Sequence, residues 1–278
     1  MKKINQLSDF NNIIDPLSIS SIKIRGDKTY TNLSILKDYD LKNLESLKWK
    51  HSIIDNIDGI LNKNFENLKV LDLEYNNIDE NCMKFKHKYF PKLEFLDLYH
   101  NNIKSIQIFK IVQNFKKLIK FHVGDNNFNE EEINTLKEKI NLKQIKELGV
   151  TGCFSDSKVK FMKNLIFKDL KTLYISRNHL STLSFMDFEN LKNLKKITKF
   201  WAIENNLKDI NELQYLANLK TLEIINLKNN KIRSLKGLLD IIKNFPNLKK
   251  LTLEGNPIDI EKDKEIIEKL RKKIKLVI

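Results

Sequence analysis

The sequence is poor in the residues that build linkers, disulfide frameworks and metal clusters. Its 278 residues include only 7 Gly and 4 Pro, and no stretch has the composition of a flexible linker between domains. There are 2 Cys, Cys82 and Cys153, which is too few for a disulfide framework. Cys82 and His87 form a lone Cys–His pair without the second ligand pair of a structural zinc site, so we expect no bound metal.

Two further absences limit the location and the activity of the protein. No run approaches the ~18–20 apolar residues that span a bilayer, and the opening segment MKKINQLSDFNNIIDP lacks the apolar core of a secretory signal. We therefore expect a cytoplasmic protein without a transmembrane segment. The motifs G-x-S-x-G, G-x-x-x-x-G-K-[ST], G-x-G-x-x-G and H-E-x-x-H are also absent, so we expect neither an enzyme nor a cofactor.

Positive charge is abundant, because 50 Lys and Arg oppose 36 Asp and Glu and give a formal net charge of +14. Such an excess is typical of proteins that bind nucleic acid. The lysines are spread along the chain rather than clustered, however, and Asn and Ile are over-used with them, as a bias in codon usage would produce. Nucleic-acid binding through the basic surface is therefore the alternative function and not the leading one.

One phrase occurs many times in the chain. LKVLDLEYNNI begins at Leu68, and LEFLDLYHNNI begins 25 residues later at Leu93. With weaker versions counted, ten copies separated by 24 to 27 residues begin at Ile19, Leu44, Leu68, Leu93, Leu118, Ile145, Leu170, Ile197, Leu222 and Leu248. The phrase resembles the leucine-rich repeat, L-x-x-L-x-L-x-x-N/C-x-L, whose usual length is about 20–29 residues.

The resemblance implies an α/β fold. This fold is a right-handed leucine-rich-repeat solenoid, or horseshoe, with a parallel concave β-sheet and helices on the convex side. Apolar residues at helical spacing between the phrases, such as Ile108, Ile111, Val112 and Phe115, favour the same arrangement. We predict an N-terminal flank over residues 1–18, ten leucine-rich repeats over 19–258, and a C-terminal capping helix and strand over 259–278.

The ninth position of the phrase is a short polar residue in most copies. A side-chain amide can both donate to and accept from backbone groups where the chain leaves a strand. In leucine-rich repeats these residues form a ladder inside the solenoid, and the resemblance implies that role for Asn76, Asn101, Asn126, Cys153, Asn178, Asn205, Asn230 and Asn256. A redox or metal-binding role is the alternative for Cys153.

The residues between the leucines change from copy to copy, and in a strand they point away from the leucines. We therefore predict a concave face that binds another protein, as an adaptor, scaffold or regulatory subunit does. Its candidate partner-binding residues are Asp72, Glu74, Tyr75, Phe95, Asp97, Tyr99, His100, His122, Asp125, Tyr174, Arg177, Trp201 and Ile203.

The first part of this set, as far as Asp125, is acidic and aromatic, and therefore predicts a partner with a basic element. His100 and His122 stand beside Asp97 and Asp125 and are interpreted as part of the binding surface. A metal site or an acid–base pair is the alternative for these histidines. For the aromatic residues, the alternative is that they pack only on neighbouring side chains of the sheet.

Overall fold

The computed structural model describes residues 2–12, 15–61, 63, 65–192 and 194–278. Residues 1, 13 and 14 of the predicted N-terminal flank, and residues 62, 64 and 193 of the predicted repeat region, lie outside the described residues. The chain divides into two compact units, Met1–Glu132 and Ile133–Ile278. We call them unit 1 and unit 2 and describe each by itself.

Unit 1 contains a parallel sheet whose strands lie side by side in chain order. These strands are β1 (Lys2–Ile4), β2 (Ile19–Arg25), β3 (Ser46–Lys50), β4 (Val70–Asp72), β5 (Phe95–Asp97) and β6 (Lys120–His122). The last five belong to copies of the phrase. Strand β1 precedes the first copy, and its pairing with β2 was not predicted from the sequence.

Unit 2 also contains parallel strands that lie side by side in chain order. Its strands are β8 (Glu147–Gly149), β10 (Thr172–Tyr174), β11 (Lys199–Trp201), β12 (Ile224–Asn226), β13 (Lys250–Thr252) and β14 (Lys275–Val277). A separate two-stranded parallel sheet pairs β7 (Ile140–Asn141) with β9 (Leu165–Ile166). Parallel pairing is the arrangement that strand, return segment, strand repeats produce.

Short helices follow the strands along the return segments. The α-helices are α1 (Gln107–Val112), α2 (Glu130–Thr135), α3 (Glu189–Lys192), α4 (Leu238–Ile241) and α5 (Lys264–Arg271). The 3-10 helices are Leu7–Asn12, Pro16–Ser18, Ser34–Asp38, Glu80–Lys84, His87–Tyr89, Lys158–Asn164, Ser184–Asp187, Ile210–Leu216 and Ile242–Asn244. Within the described residues, no helix reaches the length and hydrophobicity that a bilayer crossing requires.

The helices are shorter than the sequence pattern alone suggests. The apolar stripe from Ile108 to Phe115, for example, forms only six residues of α-helix. A 3-10 turn advances more per residue than an α-turn and is stable in short pieces, so it suits a return that must cross the unit within a few residues. The stripe still directs its apolar side chains inward, since Ile108 and Val112 are 0% exposed.

The leucine positions of the phrase are buried in the core of each unit. In the copy that begins at Leu93, the residues Leu93, Leu96, Leu98 and Ile103 are all at most 1% exposed. Full burial of one such side chain contributes about 1.5–3 kcal/mol relative to leaving it exposed. The positions that the sequence predicts to point inward are therefore the ones that are buried in the core.

The ninth-position asparagines bond each coil to the coil before it. Nδ2 of Asn126 donates to the carbonyl oxygens of Leu98 (3.0 Å) and Val123 (3.0 Å), and its Oδ1 accepts from the Ile103 N–H (2.9 Å). The other asparagines also donate to and accept from the preceding coil, namely Asn76, Asn101, Asn178, Asn205, Asn230 and Asn256. These bonds pair backbone groups that the strand does not use.

Both cysteines are buried free thiols. Cys153, at the ladder position, is 5% exposed, and its own N–H donates to Oδ1 of Asn178 in the next coil (2.7 Å). Cys82 is 0% exposed in the 3-10 helix Glu80–Lys84, and burial raises its pKa far above the usual range of a thiol. Neither thiol has the exposed, electropositive surroundings of a reactive cysteine.

The ladder yields the first testable prediction. Asn126→Ala should lower the free energy of unfolding by about 1–3 kcal/mol, because buried backbone groups of two coils would lose their partner. Asn127→Ala removes the same amide from the exposed neighbouring residue and should cost less than about 0.5 kcal/mol. Urea unfolding followed by circular dichroism measures both variants, and equal, negligible losses would contradict the ladder.

A second prediction concerns Gly59, a buried residue in the return segment after β3. A Cβ atom there would lie 1.7 Å from the backbone oxygen of Leu33, and neither backbone can move aside cheaply. Gly59→Ala should therefore cost about 3 kcal/mol. Gly26 has a φ of +74° and open space around its Cβ position, so Gly26→Ala should cost only the left-handed strain of about 1 kcal/mol. Similar losses in thermal unfolding would contradict the close approach.

Candidate functional site

In each unit, one face of the sheet carries the residues that alternate with the core positions, and we call it the open face. In unit 1 the register aligns Lys48 with Asp72, Asp72 with Asp97, and Asp97 with His122 on adjacent strands. In unit 2 it aligns Gly149, Tyr174, Trp201, Asn226 and Thr252 in the same way. The alternation in the sequence predicts both rows.

The residue just before each ladder position has a left-handed backbone. In unit 1 this applies to His51, Tyr75, His100 and Asp125, with φ values of 52°, 54°, 51° and 53°. Glycine adopts this conformation without strain, and Gly26, Gly152 and Gly255 hold the same place in other copies. Side chains at this place form a column along the edge of the open face where the strands end.

The rings of this column stack on one another. His51 and Tyr75 lie with their centroids 4.3 Å apart at an angle of 11°, and Tyr75 and His100 are 4.4 Å apart at 29°. Tyr99 meets Tyr75 edge to face at 5.5 Å. The predicted binding residues Tyr75, Tyr99 and His100 are therefore in contact with one another, and His51 extends the stack.

Lys50 lies among the carboxylates of the open face in unit 1. Its Nζ is 3.1 Å from Oδ2 of Asp72 and 2.7 Å from Oε1 of Glu74. Asp72 and Asp97 are only 3% and 5% exposed, although the alternation in the sequence places them on the outward face. Their neighbours on adjacent strands cover them. Little of either carboxylate is accessible to a partner, and their main contribution is to hold the neighbouring side chains in place.

Burial and mutual repulsion set the charge state of this group. The pKa of Asp72 is raised, first because burial penalises its charged form and next because the Asp97 carboxylate is close, while Lys50 acts in the opposite direction. Burial alone would lower the pKa of Lys50, but its bonds to Glu74 and Asp72 outweigh burial and raise it. The ammonium and the carboxylates thus stabilise each other's charged forms.

Asp72, Glu74 and Asp97 also have the composition of a cation site, because their ligand oxygens lie within 4.8 Å of one another. The ammonium of Lys50 bonds to two of these three residues. The ammonium occupies the space and supplies the positive charge that a metal ion would provide, so the arrangement supports a salt-bridge network. The expectation that no metal is bound here stays a prediction.

Each histidine of this region faces a carboxylate. Nδ1 of His100 is 2.6 Å from Oδ2 of Asp125, and Nδ1 of His122 is 3.3 Å from Oδ2 of Asp97. Phe95 meets the His122 ring edge to face at 5.3 Å. These pairs orient the imidazoles on the open face.

Unit 2 carries the remaining predicted residues, of which Tyr174, Trp201 and Ile203 form an apolar part of its open face. The rings of Tyr174 and Trp201 lie 5.8 Å apart at 32°, and Ile203 is on the same strand side as Trp201, two residues along. Burial first, and Glu147 second, raise the pKa of Tyr174, so its hydroxyl stays neutral. Arg177, at the edge, approaches Glu204 at 3.8 Å.

Two residues of the site in unit 1 were not among the sequence-predicted ones. Lys50 follows Lys48 on the outward side of β3, and its position in the phrase is the position of Glu74 in the next copy. His51 holds the place in its copy that Tyr75 and His100 hold in theirs. An alignment of the copies by position, rather than by residue type, would have identified both.

Comparison with protein families finds the repeat itself. The family model described as Leucine Rich Repeat matches residues 169–191. A search of curated protein sequences finds no significant match.

Several solved structures share the fold of the whole chain. The mouse RP105/MD-1 complex gives a TM-score of 0.61 at 22% identity over 93% of this chain and 42% of that chain. The octameric complex of Latrophilin 3, Unc5D and FLRT2, of which FLRT2 is the LRR component, gives 0.57 at 18% over 95% and 84%. The TLR13–ssRNA13 complex gives 0.55 at 17% over 94% and 40%. At these identities the likeness shows a common fold.

A third prediction follows from the position of Lys50. Lys50→Met should lower the free energy of unfolding by about 1–3 kcal/mol at neutral pH, because the buried Asp72 carboxylate would lose its ammonium partner. In the wild type Lys50 lowers the pKa of Asp72, which burial and Asp97 nevertheless hold above its ordinary value of 3.8. Without Lys50 the folded variant therefore takes up this proton at a higher pH than the folded wild type does. The deficit should therefore shrink as the pH falls towards about 4.

Urea unfolding of wild type and variant across this pH range measures the effect. Lys23→Met is the matched control, since Lys23 is an exposed lysine on β2, and its cost should stay below about 0.5 kcal/mol at every pH. A deficit for Lys50→Met that grows on acidification would show that Asp72 does not depend on Lys50.

Proposed function

Because this chain is a leucine-rich-repeat protein, we propose that it is a binding module that holds another protein on the open faces of its sheets. It acts as an adaptor, scaffold or regulatory subunit and not as an enzyme. The observation that carries the proposal is the pair of ordered surfaces, one ionic and aromatic in unit 1 and one apolar in unit 2. Function on a repeat fold depends on such surfaces and not on the fold itself.

The construction of the open faces supports protein binding. Parallel strands about 4.8 Å apart hold their outward side chains in regular rows, so a partner meets a preformed surface at little cost in entropy. Two of the similar structures are protein complexes, of RP105 with MD-1 and of FLRT2 with Latrophilin 3 and Unc5D. Those partners belong to those proteins, and here they support only the general mode of binding.

The charge of the open face in unit 1 supports a partner with a basic element. The coils of β4, β5 and β6 carry four carboxylates on this face, those of Asp72, Glu74, Asp97 and Asp125, whereas β2 and β3 beside them carry Lys23, Lys48 and Lys50. The whole chain has a formal charge of +14. Glu74 and Asp125 have side chains 22% and 30% exposed, and we assign the steering of the partner to them.

The aromatic rings would supply the anchors of the interface. In unit 1, Phe95 and Tyr99 are half-buried, and in unit 2, Tyr174, Trp201 and Ile203 are half-buried as well. Aromatic side chains that are already ordered contribute most to protein interfaces, because binding removes their remaining apolar surface from water. The two free, buried cysteines fit a reducing compartment, and we place the protein in the cytoplasm.

A fourth prediction tests these surfaces. Tyr99→Ala in unit 1 and Trp201→Ala in unit 2 should each weaken binding of the partner by about 2 kcal/mol, because each removes a ring from the interface. Tyr215 is a half-exposed ring in the 3-10 helix Ile210–Leu216, away from the open face, and Tyr215→Ala is the matched control. Affinity capture from the source cells with mass spectrometry identifies the partner, and calorimetry then measures its affinity for each variant.

The double variant Tyr99→Ala/Trp201→Ala decides the outcome, provided that circular dichroism shows it folded. Capture of the same proteins at wild-type levels would show that the open faces are not the working surface. Captured material that is lost on nuclease treatment, with an affinity that falls steeply with salt, would instead favour nucleic-acid binding through the basic surface. The TLR13–ssRNA13 complex is an RNA-bound protein of the same fold.

A further inference from the structure

The edge of unit 1 contains a cavity of about 380 Å³ beside the stacked rings. The rings of His51, Tyr75 and His100 form one side of it, and Lys28, Asn77 and Asn102 contribute to the rest. The other lining residues are the ladder residues of three coils. This volume lies within the ordinary range of small-ligand sites, about 300–1,000 Å³.

The lining consists of hydrogen-bond donors. Lys28 offers an ammonium, Asn77 and Asn102 offer exposed amides, and Tyr75 offers a hydroxyl. His100 is held through Nδ1 by Asp125 (2.6 Å), so its Nε2 is the nitrogen left to face a ligand. Among the described residues that line the cavity there is no carboxylate.

The carboxylates nearest to the cavity are already paired. Glu74 approaches Nε2 of His51 at 3.5 Å, but its main partner is Lys50 at 2.7 Å. Asp125 is bonded to His100. Arg25 adds a further cation, since its Nη2 is 3.4 Å from Nε2 of His51. Lys28 in the lining and Arg25 beside His51 are therefore the cations that an anion in the cavity would meet.

Backbone strain accompanies this arrangement. His51, Tyr75 and His100 all hold a left-handed conformation, with φ of 52°, 54° and 51°, at a place where other copies have glycine. A bulky residue there costs free energy that glycine would not. In return the three rings are stacked in a rigid column beside the donors.

We propose that this cavity binds a small oxyanion of the phosphate monoester class. The ammonium of Lys28 and the amides of Asn77 and Asn102 would hold the oxygens, and the His100 imidazole would donate a further bond when protonated. A doubly charged anion with several acceptor oxygens matches a cationic cavity rich in donors, whereas a neutral sugar would leave that charge unused. The cavity lies at the edge of the open face in unit 1, and anion binding there can be measured without the protein partner.

The binding test uses inorganic phosphate and sulfate on the full-length protein, measured by isothermal titration calorimetry. We expect saturable binding of both anions. Lys28→Ala/Asn102→Ala should weaken it by about tenfold or more, because it removes one charge-assisted and one neutral hydrogen bond. Lys23→Ala removes an exposed lysine from β2 outside the cavity and should change the affinity by less than about twofold. Equal weakening by both variants, or no saturable binding, would refute the site.

Sulfate also tests the role of the imidazoles, because its own charge is constant over the working range. Lowering the pH from about 8 to about 5.5 charges histidine side chains and should tighten sulfate binding. The charged groups that face them are Arg25 and Glu74 at His51, and Asp125 at His100. His51→Gln/His100→Gln should abolish the pH response, and a response that persists would assign it to other groups and contradict the proposed donors.

A last comparison identifies the source of the anion. O-phosphoserine and a nucleoside 5′-monophosphate carry the same phosphate monoester on different bodies. Binding of either at least as tightly as inorganic phosphate would support a site for the esterified group. Exclusion of both, with inorganic phosphate still bound, would overturn the monoester class in favour of a free ion. None of these outcomes depends on whether the open faces bind a protein.

Discussion

Every coil of this protein must leave its strand, and the backbone groups freed at that point are buried. A water molecule cannot reach them, and the next strand does not pair them. The ladder asparagine pairs both kinds of backbone group. In Asn101, for example, Nδ2 donates to the Leu73 carbonyl (3.0 Å) and Oδ1 accepts from the Ile78 N–H (2.9 Å). An unpaired buried group costs about 1–3 kcal/mol, and the cost would recur in each coil. The regular stacking of coils therefore depends on the hydrogen bonds of this side-chain amide.

The ladder also determines what the surface can be. Because each amide is bonded to the coil before it, the strands keep one register, and side chains at equivalent positions lie in rows on the open face. The residue before each ladder position has a left-handed backbone. The side chains of these residues in successive coils form a second column along the edge of the face. In unit 1 this column holds rings that stack, from His51 through Tyr75 to His100. The regular rows of side chains on the surface are thus a consequence of the hydrogen bonds of the ladder inside the protein.

Charges on the open face of unit 1 form a network and do not act as independent groups. Lys50, from one strand, bonds to Asp72 and Glu74 of the next coil, and burial makes those bonds matter more than they would in water. Asp97 is held from two sides, by the Tyr99 N–H at 2.9 Å and by His122. Such mutual pairing fixes the carboxylates in place. A partner bound at the proposed surface would meet rigid rings and a few exposed charges, which favours specificity over loose electrostatic attraction.

The repeat, the fold, the inward leucines and the positions of the ladder asparagines could all be read from the sequence, because they depend on local chemistry and short periods. Alternation within a strand and the bonding capacity of an amide need no knowledge of distant residues. Other features appeared only in the tertiary structure: the burial of Asp72 and Asp97, the position of Lys50 between carboxylates, the strand β1 before the first copy, and the ring stack beside a cavity. These features depend on side chains from separate coils meeting within a few ångströms. Their contacts are decided by burial and by left-handed backbone geometry, which a list of residues does not contain.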